Sequence, residues 1–186
     1  MKIISIYNSE KQLIRKSISG KREAQQRLYD KYSPLMLSVC RRYVKDVHFA
    51  EDVMVSGFVK VFKSLNSFRG EGSFEGWIRK IMVRECISHL RKNQFVVFDD
   101  SVFEESCLKI QDENPMDVEY IQHLIDSLPD GYRAVFVLYA VEGYKHQEIA
   151  QELGISQSTS KSQLFKARKW LQEKLKEQNS IGHATR

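Results

Sequence analysis

Cysteine is scarce in this chain of 186 residues and badly placed for cross-linking: Cys40, Cys86 and Cys107 are odd in number, far apart and form no CxxC pair. That argues against a disulfide scaffold or a thiolate zinc site, and leaves three small buried hydrophobes in a reducing compartment. The five histidines are scattered, and His146-Gln-Glu148 is not HExxH, so no metal is expected. Gly70-Glu-Gly-Ser-Phe-Glu-Gly76 follows a helix, misses the phosphate-loop spacing, lacks its lysine and brings Glu71 and Glu75 toward any phosphate. There is no nucleophile elbow either, so no catalytic residue and no cofactor is expected: the chain does not read as an enzyme. No apolar run approaches the roughly 20 residues that span a bilayer. Met1–Tyr7 is too short for a signal-peptide core. The expectation is a cytoplasmic protein with no direct membrane insertion.

One further absence points toward a function. Between Ser156 and Lys169 there is no acid, while Lys161, Lys166, Arg168 and Lys169 are all basic. Before this stretch Glu148, Ile149, Ala150 and Leu153 read as a helix ending at Gly154, where a left-handed cap suits glycine. Ile155 plugs the corner and Ser156 is placed to cap the next helix. A helix-turn-helix with an acid-free second helix is what lying between two rows of phosphates requires.

Charge is unevenly spread. The net is +5, yet from Asn93 to Glu119 eight acids stand against Lys109 alone. Two basic bodies therefore flank an acidic connector. Ahead of it, Ser9-Glu-Lys-Gln12 reads as a capping box opening a short helix closed by Gly20. A second helix spans about 21–32, and a third begins at Pro34. A fourth runs from about Phe49 to Leu65. The two glycines of Asn66–Gly72 break the pattern, and a fifth helix from Ser73 repeats Phe74, Ile78, Met82, Cys86 and Leu90. Residues 93–116 read as a flexible linker with a short extended piece at Phe95–Phe98. Helices resume at about 117–128 and 130–142, and Gln178–Arg186 reads as a frayed tail. The fold expected is all-α: a helical domain at 1–92, an acidic linker at 93–116 and a helix-turn-helix domain at 117–186.

The fifth helix interleaves Trp77 with Arg79, Lys80, Arg84, His89, Arg91 and Lys92, after Phe68 and Arg69 in the loop. Aromatic and cationic groups on one element suit single-stranded DNA, with cations on the backbone and rings against bases. Trp77, spaced between Phe74 and Ile81, stands at a position more often core than base platform, and surface cations are commonly just solvated.

Ala50-Glu51-Asp52, Phe58-Val-Lys-Val-Phe62, Phe68-Arg69-Gly70, Trp77-Ile78 and Leu90-Arg91-Lys92 together resemble the second conserved region of bacterial sigma factors. Leu128-Pro129, Glu142-Gly143-Tyr144, Glu148-Ile149-Ala150, Leu153-Gly154-Ile155-Ser156 and Thr159-Ser-Lys-Ser-Gln-Leu164 resemble their fourth region. The chain is similar to the two-domain extracytoplasmic-function (ECF) group, over roughly 20–92 and 118–175. The Thr159–Leu164 run and Trp77–Met82 look most like members from Bacteroidetes-type bacteria.

The resemblance implies a fold, partners and site residues. Asp52, Val55, Ser56, Phe58 and Phe62 would dock on the clamp helices of the largest subunit of core RNA polymerase. The flap would be a further polymerase contact. Val55-Ser56 stands where the family commonly has Gln-Glu. Arg69, Ser73, Trp77, Arg79, Lys80, Arg84, His89, Arg91 and Lys92 would hold the melted −10 element; Arg84 replaces a frequent Asn. Ser156, Gln157, Ser158, Thr159, Lys161, Ser162 and Gln163 would approach base edges of the −35 element, and Lys166, Arg168 and Lys169 its phosphates. Leu164 and Leu171 would face the core, and Trp170 the packing or a partner. Promoter DNA and core polymerase are thus the implied partners, an anti-sigma factor an allowed further one, and the chain a monomer. A helix-turn-helix repressor is the rival reading; such proteins usually dimerise, and no dimerising seam is evident here.

Overall fold

The computed structural model describes residues 2–92 and 118–183, with side chains for 10–92 and 120–176. The linker and its Phe95–Phe98 piece lie outside the described residues, as does Cys107. Among the described residues there are helices, turns and no strands. They form two compact units, Met1–His89 and Leu90–Arg186.

The first unit begins with α1, Lys2–Ile18. This helix does not open at Ser9, as the capping-box reading has it, but runs straight through that position. It closes on Gly20, whose φ of 77° is the left-handed conformation that glycine takes without strain. The two helices expected at 21–32 and from Pro34 are one, α2, Arg22–Arg41, with Pro34 inside it. A proline in a helix interior lacks a donor and crowds the preceding turn. What outweighs this is the buried stripe Ala24, Leu28, Tyr32, Met36, Val39 and Cys40, which stays in register on both sides of Pro34.

α3, Val47–Ser64, is capped by Asp46, whose carboxylate accepts from the backbone N–H of His48 (2.8 Å) and Phe49 (3.1 Å). A 3-10 turn at Leu65–Ser67 ends it. α4, Phe74–Lys92, opens where the Ser73 hydroxyl accepts from Gly76 N–H at 3.0 Å. Its Phe74, Ile78, Met82, Val83, Cys86, Ile87 and Leu90 are all buried. Gly57 lets α3 and α4 approach: a Cβ there would meet Met82 Sδ at 2.3 Å. Cys40 and Cys86 are free and fully buried. A hydrogen bond donated by its S–H to Cys40, then burial, pushes the Cys86 thiol up, so it behaves as a small hydrophobe.

In the second unit α5 is Val118–Ser127 and α6 Asp130–Phe136, continued by a π-turn at Val137–Val141. The turn is closed by Glu142 N–H donating to the Val137 carbonyl at 3.0 Å. α7, His146–Leu153, and α8, Gln157–His183, complete it. α8 continues through the stretch read as a frayed tail as far as His183. Leu128, Tyr132 and Ala167 make a core over which Phe136, Trp170 and Leu171 close. Arg133, almost fully buried, pairs with Asp130 at 2.6 Å, which neutralises a charge the core could not otherwise hold.

Candidate nucleic-acid interface

α7 and α8 form the helix-turn-helix. Lys145 N–H donates to the Glu148 carboxylate at 2.7 Å at the start of α7. At its end Gly154 adopts φ 69° and ψ 34°, and Ile155 N–H returns to the Ala150 carbonyl at 3.0 Å. This is the six-to-one bond of a Schellman turn, and it fixes the angle at which α8 leaves. Ser156 then accepts from Thr159 N–H at 2.9 Å, capping α8. Its hydroxyl also lies 2.7 Å from that of Ser158 and 2.8 Å from that of Thr159.

α8 divides sharply into two faces. Ser160, Gln163, Leu164 and Ala167 are buried, whereas Gln157, Ser158, Lys161, Ser162, Arg168 and Lys169 are exposed. Thr159 and Lys166 are half-buried at the border. Gln163 therefore corrects the sequence reading. At 1 % exposure it faces α7 and the core, where no base edge can reach it, and its Oε1 lacks a hydrogen-bond partner. Its place on the outward face is taken by Phe165, 70 % exposed. Phe165 follows Ser158 and Ser162 at seven and three residues, so it stands in the middle of the basic face. A phenyl ring there can meet thymine methyl groups. The sequence reading missed it because an apolar residue beside Leu164 is indistinguishable from core until the phase of the helix is known. Leu164 is buried as expected, and Trp170 packs, its Nε1 donating to Ser127 Oγ at 3.3 Å.

His146 ties the motif together. Its Nδ1 lies 2.9 Å from Ser160 Oγ, and its ring stacks on Tyr139 at 4.7 Å and 25°. The Arg168 guanidinium sits 5.5 Å from the centre of the same Tyr139 ring. Burial, and then the charges of Lys161 and Arg168, hold the His146 pKa below the ordinary imidazole value.

On α4, Trp77, Lys80, Arg84 and Arg91 recur at three-, four- and seven-residue intervals and so share one side of the helix. Lys80, Arg84, Arg91 and Lys92 are exposed; Arg79 and His89 are half-buried. The half-buried Trp77 ring packs on Phe68 at 5.5 Å and on Phe74 at 5.7 Å, with Tyr32 at 5.5 Å from Phe74. Trp77 is thus one wall of an aromatic cluster rather than a projecting platform. Arg69 and Ser73 are exposed in the loop, which Gly70 and Gly72 turn through φ 77° and 87°. An open groove of about 570 Å³ runs beside Arg84, and α3 lends it Lys60 and Lys63. Lys60 is ion-paired to Glu85. Lys63 was not found from the sequence because only the packing of α3 on α4 brings it beside Arg84.

On α3, Asp52, Val55 and Ser56 are exposed, and Val59, one turn on, is 46 % exposed. Phe58 is not on this face. At 3 % exposure it packs with tilted rings between Tyr29 (4.8 Å) and Phe62 (6.1 Å), and Phe62 is half-buried. The four-residue step from Met54 to Phe58 turns it inward, so it supports the outward face from behind.

Two family models match this chain: "Sigma-70 region 2" over residues 28–96 and "Sigma-70, region 4" over 118–171. The RNA polymerase sigma factor SigV of Bacillus subtilis is 30% identical over 134 residues, covering 72% of this chain and 80% of that one. The chain belongs to the ECF group of the sigma-70 family. The RNA polymerase sigma-H factor of Pseudomonas aeruginosa is 27% identical over 89% of this sigma factor and 93% of its own length. The ECF sigma factor SigE of Mycolicibacterium smegmatis is 28% identical over 72% of this chain, which spans about half of that longer protein, 54%. In fold, the chain is similar to the sigma factor RpoE of Bartonella quintana, seen in co-crystals with the anti-sigma factor NepR. That likeness has a TM-score of 0.51 and 24% identity, over 81% of this chain and 96% of that one. α7 and α8 as far as Leu171 lie inside the region 4 match, and the α3 face and basic side of α4 lie inside region 2. α1 precedes both.

Proposed function

We propose that this sigma factor binds core RNA polymerase and directs promoter-specific initiation, melting the −10 element with α4 and its loop and reading the −35 element with α8. The observation that carries the reading is the outward face of α8: acid-free through Lys169, basic at Lys161, Arg168 and Lys169, with Phe165 at its centre. On a helix-turn-helix, such a face fits the major groove, cations on phosphates and short side chains on base edges. The basic side of α4, set in a separate unit with its own aromatic cluster, supports a second, single-stranded contact. The face Asp52, Val55, Ser56 and Val59 supports docking on the clamp helices, now with an apolar pair in place of polar partners; the flap is a second polymerase contact under the same reading. Domain limits of 1–92, 93–116 and 117–186 accompany this proposal. So do a non-enzymatic, monomeric, cytoplasmic protein without a cofactor, and the narrower likeness to Bacteroidetes-type members. The co-crystal of a family member with NepR supports an anti-sigma factor as a further partner. Run-off transcription with core polymerase on a genomic library, followed by mapping of start sites, tests the function. Start sites sharing paired −35 and −10 sequences are expected; unchanged start-site choice on adding the protein overturns the reading.

A further inference from the structure

His146 stands where three elements of the helix-turn-helix unit meet. It is the first residue of α7, its ring stacks on Tyr139 of the π-turn, and its Nδ1 reaches Ser160 in the first turn of α8. Lys161 and Arg168 are seven residues apart, hence on one side of α8, and both positive charges bear on the imidazole. The Arg168 guanidinium lies against the same Tyr139 ring that carries His146. Three basic side chains thus converge on one spot of the helix-turn-helix, and the third of them can change charge near neutrality.

Resting on the −35 reading above, we propose that His146 is a proton-linked phosphate contact, taking up one proton as the DNA backbone docks across Lys161 and Arg168. No remodelling is needed. The Ser160 hydroxyl can donate to a neutral imidazole or accept from the N–H of a protonated one, so the 2.9 Å contact serves both forms. Without DNA the imidazole is neutral at pH 7, because burial and then its two basic neighbours oppose a third charge. Beside it along the chain stand Lys145, which caps α7, and Glu148, whose carboxylate is engaged on Lys145 N–H. The aromatic face toward it is that of Tyr139. A DNA phosphate supplies what is missing. It offsets the fields of Lys161 and Arg168 and favours the imidazolium directly. Folding and DNA binding therefore respond oppositely to acid. In the free protein the stability due to neutral His146 is complete above the unfolded pKa and is lost as pH falls through the lowered folded value. In the complex, affinity rises over the same fall in pH.

The test is the affinity of the full chain, assembled with core polymerase, for a labelled promoter duplex taken from the run-off experiment. It is measured from about pH 6 to about pH 8 at fixed ionic strength, in the native sequence and in His146→Gln, which can still hydrogen-bond Ser160 but cannot titrate. The native protein should lose affinity with rising pH by up to about tenfold per unit, the limit for one proton, and His146→Gln should lose distinctly less. Equal slopes overturn the proposal. A direct readout covers a variant that folds poorly: His146 of the native chain, followed by NMR with and without the duplex, must titrate at higher pH when bound, and an unchanged or lower midpoint overturns it. Absence of promoter binding at every pH would remove the −35 reading itself. Binding with an unchanged slope removes this inference alone.

Discussion

A buried amide oxygen without a partner is costly, and Gln163 carries one within a face otherwise made of Ser160, Leu164 and Ala167. Gln163→Met keeps the length of the side chain and removes the polar atoms. The expected outcome is a gain of about 1 kcal/mol, read as a higher urea midpoint with unchanged slope. Promoter affinity should be unchanged, because this residue faces away from the groove. A loss of promoter affinity at full stability would return Gln163 to the reading face. The contrast with Phe165 shows where sequence reasoning loses resolution. The α8 motif gave the helix, its cap and its charge, but assigning each side chain to a face needs the phase to within half a turn. Polarity was the guide, and here a polar residue is buried and an aromatic one exposed. On α3 the family resemblance names Phe58 for docking while the residue lies inward: motif membership says that a residue matters, not which way it points.

Helices were legible as elements wherever an apolar period was unbroken. Phe74 to Leu90 gave α4 to within a residue of its start, and Gly154 and Ser156 gave the corner of the helix-turn-helix. The errors came from local punctuation that packing outweighs: Pro34 does not divide α2, and Ser9 does not start α1. Gly57 is the opposite case, a residue with no local signal whose reason is tertiary. Its Cα faces Met82, and an added Cβ would lie 2.3 Å from a sulfur that is itself fully buried. Gly57→Ala gains up to about 1 kcal/mol of helix propensity. It incurs about 1–3 kcal/mol of overpacking, because Met82 has no solvent to swing into. A net loss of about 1 kcal/mol is expected, seen as a lower melting temperature of the first unit. A neutral or stabilised variant would mean that the α3–α4 approach is looser than the structure has it.

At the scale of the whole molecule, two units with different exposed basic surfaces imply two functions that separate by mutation. Lys161→Glu reverses a charge on the exposed face of α8. It should abolish promoter-specific binding and lower the salt slope by about one to two units, while core association persists. Asp52→Arg reverses a charge on the exposed face of α3, beside Val55 and Val59 and outside the other unit. It should weaken assembly with core polymerase by at least about tenfold, or 1.4 kcal/mol, and leave the fold intact. Sedimentation of the mixture with core polymerase reads the second effect and anisotropy of a promoter duplex the first. Both side chains are solvent-exposed, so neither change disturbs packing, and a variant that lost both activities would have to act through something other than these two surfaces. The double variant is the sharper test. If the surfaces are independent the two losses add in free energy, as they do for distant sites without shared partners. A large departure from additivity would mean that docking on polymerase and grip on the −35 duplex are coupled through the chain, and the two-surface description would then have to give way to one in which polymerase sets the affinity of α8.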